Sequence, residues 1–180
     1  MPCCNVLAGK QRHQLTFGRL IYLRPAGFAD LHVGSIQDYT RAMHENPITV
    51  QTTVNAPLQK VWDCWNNPAD ITGWAFASDD WEAPAAENDL HTGGTFKTTM
   101  AAKDKSASFD LIGTYTAVED RAHIAYDMAD GRHVEVRFEE TPEGVIITET
   151  FDPEHENTEE LQRAGWQAIL ENFKRYAEAK

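Results

Sequence analysis

From Ile48 onward, apolar and polar positions follow regular periods. Ile48, Val50, Thr52 and Val54 alternate with polar neighbours, the period of a half-buried strand. Asn55-Ala56-Pro57 then predicts a helix start, with Asn55 or Ala56 near the cap and Pro57 where a missing N–H costs little. Val61, Cys64 and Trp65 fall at i, i+3 and i+4 and give that helix an apolar stripe. Asn67-Pro68 ends it, and a second short helix is expected over residues 69–74.

Strand periods return in the middle of the chain, over residues 95–102, 108–118, 123–128, 133–139 and 145–151. Turn material separates them: Lys103-Asp104-Lys105, Glu119-Asp120-Arg121, Asp130-Gly131 and Pro142-Glu143-Gly144. Asp-Gly between two alternating runs signals a hairpin, and consecutive hairpins give an antiparallel meander. The last segment reads as a long helix. Leu161, Gly165, Ile169, Phe173 and Tyr176 share one face, widened by Trp166 and Leu170. Asn157 and Glu160 have capping-box spacing, Glu159 and Glu160 suit the positive end of the dipole, and Lys174, Arg175 and Lys180 suit the other.

A helix this apolar needs a broad partner surface, and the meander supplies it. The order strand, two helices, a run of strands, helix is the helix-grip plan, an α+β class in which a curved antiparallel sheet wraps a long C-terminal helix. Helix and sheet curvature do not match, so a space is expected between them, a setting for a ligand.

Composition narrows the function classes. The 180 residues carry a net charge of −12 at pH 7, which repels phosphate backbones and argues against nucleic acid as a partner. No apolar run approaches the roughly 20 residues that span a bilayer, so no membrane partner is expected. Cys3, Cys4 and Cys64 form neither a disulfide framework nor a zinc motif, which fits a reduced, cytoplasmic setting. Residues 1–46 differ in character, with Lys10, Arg12, Arg19, Arg24 and Arg41 against Asp30, Asp38 and Glu45. They are expected to be a poorly ordered extension, or a stretch upstream of a start at Met43, ahead of a domain over residues 47–180.

Several motifs carry a family resemblance. They are Asn55-Ala56-Pro57 with Val61-Trp62, the run Trp74-Ala75-Phe76-Ala77-Ser78-Asp79-Asp80-Trp81, and Gly93-Gly94-Thr95-Phe96. Phe109-Asp110-Leu111-Ile112-Gly113-Thr114-Tyr115, Thr148-Glu149-Thr150-Phe151-Asp152 and Gly165-Trp166-Gln167-Ala168-Ile169-Leu170 follow in order. On these residues the stretch 48–180 resembles the SRPBCC (START/polyketide cyclase-like) superfamily, and within it the family of homologues of the activator of the heat-shock-protein-90 ATPase. The resemblance implies the helix-grip fold, as in START and birch-pollen-allergen domains, and binding of a small molecule, without naming one. The chaperone-activator name belongs to larger proteins with a further N-terminal domain. Nothing in residues 1–46 resembles that domain, so a chaperone partner is not expected.

Candidate chemistry lies in aromatics and one carboxylate. Trp74, Phe76 and Trp81, between the short helices and the sheet, either wall a site for a flat apolar ligand or close one end of the core. Phe109, Tyr115, Tyr126 and Phe151 from strands, and Trp166, Ile169 and Phe173 from the long helix, could face the same space. Gly165 interrupts a helix at a cost of about 1 kcal/mol relative to Ala. Either close helix–sheet approach or room for a ligand would explain it. If Ile147 and Phe151 point inward, Glu149 does too. It is then a candidate ligand anchor or general base, or an acid satisfied by Tyr or Trp. Among the scattered histidines only His91, beside Thr92-Gly93-Gly94, is a catalytic candidate, and no metal spacing or cofactor motif occurs. The leading expectation is a non-catalytic carrier or sensor of a small hydrophobic or aromatic molecule. A polyketide cyclase-like enzyme using Glu149 or His91 and a chaperone ATPase activator-like module are the alternatives. Pairing into a homodimer stays open.

Overall fold

Residues 46–180 are described by the structure, a computed structural model. The expectations placed on residues 1–46 lie, but for Asn46, outside the described residues. The elements in chain order are β1 (Ile48–Val54), α1 (Leu58–Asn66), α2 (Pro68–Ile71), β2 (Trp81–Asn88), β3 (Thr95–Ala102), β4 (Ser108–Glu119), β5 (His123–Met128), β6 (His133–Thr141), β7 (Gly144–Phe151) and α3 (Glu159–Ala179). The strands form one curled antiparallel sheet in the order β1-β7-β6-β5-β4-β3-β2. Strands β2 to β7 are thus a simple meander, and β1 adds to its far side. This is the helix-grip fold.

Four local expectations need correction. The strand β2 has no match among the predicted strands, because Trp-Glu-Ala-Pro-Ala-Ala-Glu-Asn has few β-formers and a proline. It survives as an edge strand, with Pro84 inside a bulge between Glu82 and Ala85, where no ladder hydrogen bond is forfeited. The expected helix over 69–74 is the four-residue α2, its N-terminus capped by the Asn67 side chain accepting from the Ala69 N–H. Pro57 itself is the extended residue ahead of α1, one position later than predicted. Thr158, not Asn157, caps α3, accepting from the Leu161 N–H at 3.3 Å.

Alternation along the strands sorts their residues as the sequence indicates. Ile48, Phe151, Val134, Tyr126 and Tyr115 form one row across the concave face, and Val50, Glu149, Val136 and Ile124 form the next. The opposite face carries Asp110, Lys97 and Asp127. Ile112, 42% exposed, is the one large apolar side chain in the open among the described residues. Between β2 and β3 the turn relies on two glycines. Gly93 has φ +88°, and a Cβ on Gly94 would lie 2.1 Å from the Asp89 carbonyl oxygen.

Helix α3 is fastened along β1, an edge strand. Arg163 donates to the Thr49 carbonyl (2.6 Å), the Gln167 amide to the Gln51 carbonyl (3.0 Å), and Lys174 to the Thr53 carbonyl (2.6 Å). The Asn55 N–H in turn donates to Glu178 (2.8 Å). Fifteen helical residues rise about 22 Å and six strand residues about 20 Å, so the two elements stay in step. The same contacts cover the unpaired edge of the sheet. Replacing Gln167 by Ala is expected to lower the unfolding free energy by about 1 kcal/mol. Urea titration would show this as a lower midpoint at unchanged slope.

Candidate functional site

Because α3 follows β1, it does not cover the whole concave face, and the core divides. One cluster contains Trp74, Tyr115, Tyr126 and Phe173; a smaller one is built on Trp81, Met100 and Ala102. A cavity of about 150 Å³ lies between them, lined by residues of both clusters and of α3.

The wall formed by residues 71–77 is held from two sides. Asn172 of α3 donates to the carbonyls of Trp74 (2.9 Å) and Phe76 (3.3 Å), while the Trp74 indole donates to the Cys64 carbonyl (3.1 Å). Buried Asp70 accepts from the Tyr176 hydroxyl (2.5 Å) and from Lys180. Burial opposes the charge on Asp70, but these hydrogen bonds prevail and hold its carboxyl below the usual range. Gly73 leaves room for the Tyr176 ring, which would lie 2.4 Å from a Cβ there.

Among the described residues, Glu149 is the one acidic side chain on the cavity wall. It is 6% exposed, flanked across the sheet by Val50 and Val136, and no described residue donates a hydrogen bond to its carboxyl. Burial alone pushes its pKa up to about 8, so the acid is mainly neutral at pH 7. Burial, reinforced by the nearby Glu149, raises the Tyr126 phenol well above its usual value. Burial also raises the Tyr115 phenol, whose hydroxyl donates to Asn88 (2.7 Å). Neither phenol ionises near neutrality.

On α3, Gly165 opens onto the cavity. A Cβ there would meet nothing within 4 Å, so close approach to the sheet does not explain this glycine, and free space does.

Of the residues singled out from sequence, Trp74, Trp81, Phe109, Tyr115, Tyr126, Trp166, Ile169 and Glu149 line the cavity. Three aromatics do not. Phe151 lies behind Trp166, stacked on it at 3.9 Å, because α3 brings the indole down over the strand. Phe173 is fully buried between Trp65 and Trp74, and Phe76 packs against both clusters. His91 is also excluded from the site: it sits in the exposed β2–β3 turn, bonded to the Thr92 carbonyl and the Asp89 carboxylate. Those two contacts raise its pKa, in that order. Cys64 is buried and its thiol pKa is raised, chiefly by burial.

Trp65, Phe96, Thr98, Met100 and Leu111 also line the cavity, beyond the residues singled out from sequence. Leu111 shares strand parity with Phe109 and Tyr115, and that signal suffices to find it. Phe96, Thr98 and Met100 alternate along β3, but Thr98 disguises that face as polar. Trp65 is legible only as part of an apolar stripe.

The linkage at Glu149 has a definite sign. Between about pH 4.5 and 8 the native side chain holds a proton that the unfolded chain has released. Its contribution to stability is therefore complete below that window and lost as pH rises through it. Relative to Glu149→Gln, the wild type should lose stability on the order of 4 kcal/mol between pH 5 and pH 9. Urea titrations of both proteins across that range would test this, and a constant difference would contradict a buried neutral acid.

Among the described residues no helix is long and apolar enough to cross a membrane, and no group of three or more His, Cys, Asp or Glu is placed to hold a metal ion. Comparison with curated proteins gave no match. The sequence profile of the family described as "Activator of Hsp90 ATPase homolog 1-like protein" matches residues 55–178. The solution structure of an AHSA1-like protein from Aeromonas hydrophila is similar at 45% identity with a TM-score of 0.71, over 74% of this chain and 93% of that one. A solution structure from Cytophaga hutchinsonii is similar at 52% identity with a TM-score of 0.66, over 75% and 94%. A crystal structure from Chromobacterium violaceum, at 18% identity and TM-score 0.66 over 74% and 99%, shares the fold. The chain belongs to the Activator of Hsp90 ATPase homolog 1-like family, within the SRPBCC superfamily.

Proposed function

We propose that this protein binds a small, mostly apolar molecule in the cavity between α3 and the sheet, as a carrier or sensor. The observation that carries this reading is an aromatic-walled cavity lined by one carboxyl, that of Glu149, with no partner among the described residues. A buried polar group without a partner is costly, and a ligand bearing one hydrogen-bonding group would satisfy it. The helix glycine points the same way, since Gly165 forgoes helix stability beside open space.

Size limits the ligand. About 150 Å³ is the volume at which an apolar protein cavity accepts a benzene-sized guest, and it is smaller than sites for drug-sized molecules. One ring with a short substituent fits without rearrangement. The test is to fill the space from the helix. Gly165→Leu should weaken binding of indole at least tenfold by NMR titration, with the melting temperature equal to or above that of the wild type. Equal affinity in the variant would refute binding at this site.

Catalysis is the second reading, favoured by one observation: a carboxyl with pKa near 8 can both give and accept a proton at neutral pH. A cyclase-type reaction through Glu149 requires that Glu149→Gln abolish turnover of a bound polyketide-like substrate while binding persists. Turnover that survives the substitution would exclude Glu149 as its acid/base.

A further inference from the structure

The cavity also selects by charge, an inference that rests on the binding reading above. Among the described residues no Lys, Arg or His lines the space, while Trp65, Trp74, Trp81, Trp166, Tyr115 and Tyr126 do. Aromatic faces are electronegative. A carboxylate or phosphate ligand would meet those faces with no described cation on the wall to compensate, and would take a hydrogen bond from Glu149 only while that acid keeps its proton. A neutral molecule would gain apolar contact and one hydrogen bond. An ammonium ion would gain apolar contact for its body, ring faces for its charge, and a carboxylate partner. Cation–π contacts strengthen as they are desolvated. A buried cation is tolerated only when paired, and Glu149 is 94% covered, lines the space and has no hydrogen-bond partner among the described residues. We infer that the site selects a small hydrophobic ammonium ion, its nitrogen paired with Glu149 and its ring-sized body held among the tryptophans.

Proton balance makes the inference measurable. Without a guest, Glu149 is mainly the neutral acid at pH 7. Pairing with an ammonium ion leaves a carboxylate–ammonium pair and releases the carboxyl proton to solvent. Among the described residues no other group with a titration between pH 6 and 8 lines the cavity beside Glu149. Val50 of β1 and Val136 of β6 are uncharged, Tyr126 of β5 stays protonated, and α3 contributes Gly165, Trp166, Ile169 and Leu170 to the wall. Arg132 acts on Tyr126 and is paired with Asp130.

The experiment is calorimetry of the full chain with three probes of one shape: 2-phenylethylammonium, 2-phenylethanol and 3-phenylpropanoate, each at pH 6, 7 and 8 in buffers of different ionisation heat. The ammonium probe should bind at least tenfold more tightly than the alcohol at pH 8. Its affinity should rise about tenfold from pH 6 to 7, with close to one proton released, and the propanoate should bind least. In Glu149→Gln, whose folding is checked by thermal melting, the ammonium probe should lose both its advantage over the alcohol and its proton release. If the alcohol or propanoate binds as tightly as the ammonium ion, or no proton is released, the charge inference is overturned and cavity binding stands. If no probe binds, both readings are overturned.

Discussion

The polar seam between α3 and the edge of β1 sets the geometry on which the rest of the molecule depends. An edge strand exposes backbone groups that must find partners, and α3 supplies them through Arg163, Gln167, Lys174 and Glu178 at nearly matched rise. That seam fixes the helix along one side of a seven-stranded sheet. The β3–β4 end of the concave face is then covered by side chains reaching from residues 71–77, from β2 and from α3, not by helix backbone. Long aromatic side chains suit this role, since each covers a large area from a distant backbone position.

The cavity follows from that arrangement. Two clusters of side chains, one around Trp74 and Phe173 and one around Trp81, approach each other without merging. Filling the gap would be simple in sequence terms: a larger side chain at Gly165, or a leucine in place of Glu149. The chain has neither. Each position alone admits a local explanation, such as a tolerated helix glycine or an acid that stays neutral. Both face the same space, and each gives up stability there, which is the pattern expected where a site is kept open for a ligand.

Much of this architecture is legible in the sequence, and the failures have physical causes. Period-two alternation locates β1 and the strands from β3 to β7, because each has one buried face. It fails for β2, whose edge position tolerates Pro84 and whose alanines carry little pattern. Helix ends move by one or two residues where two capping residues stand side by side, as at Asn157 and Thr158 or Ala56 and Pro57. Strand parity puts Glu149 inside from the positions of Ile147 and Phe151 alone. What it cannot give is depth. Phe151 and Phe173 face inward as expected but are covered by Trp166 and by Trp65 with Trp74. Whether an inward residue touches a cavity depends on what packs over it, and that is set by tertiary contacts between segments far apart in sequence.

The two chemical roles open to Glu149 make different demands on its neighbours. A general acid or base works best beside a second group that titrates near neutrality, and among the described residues the other candidates resist ionisation or lie elsewhere. Tyr115 donates to Asn88, both phenols resist ionisation, and His91 lies in a distant exposed turn. A single carboxyl in an aromatic chamber can fix the position and charge of a guest, but among the described residues it has no second titrating group with which to divide a proton transfer. Anchoring therefore needs nothing beyond the residues present. Catalysis would require the substrate to supply its own second acid or base, or a water held inside the cavity, and so asks more of the ligand than of the protein.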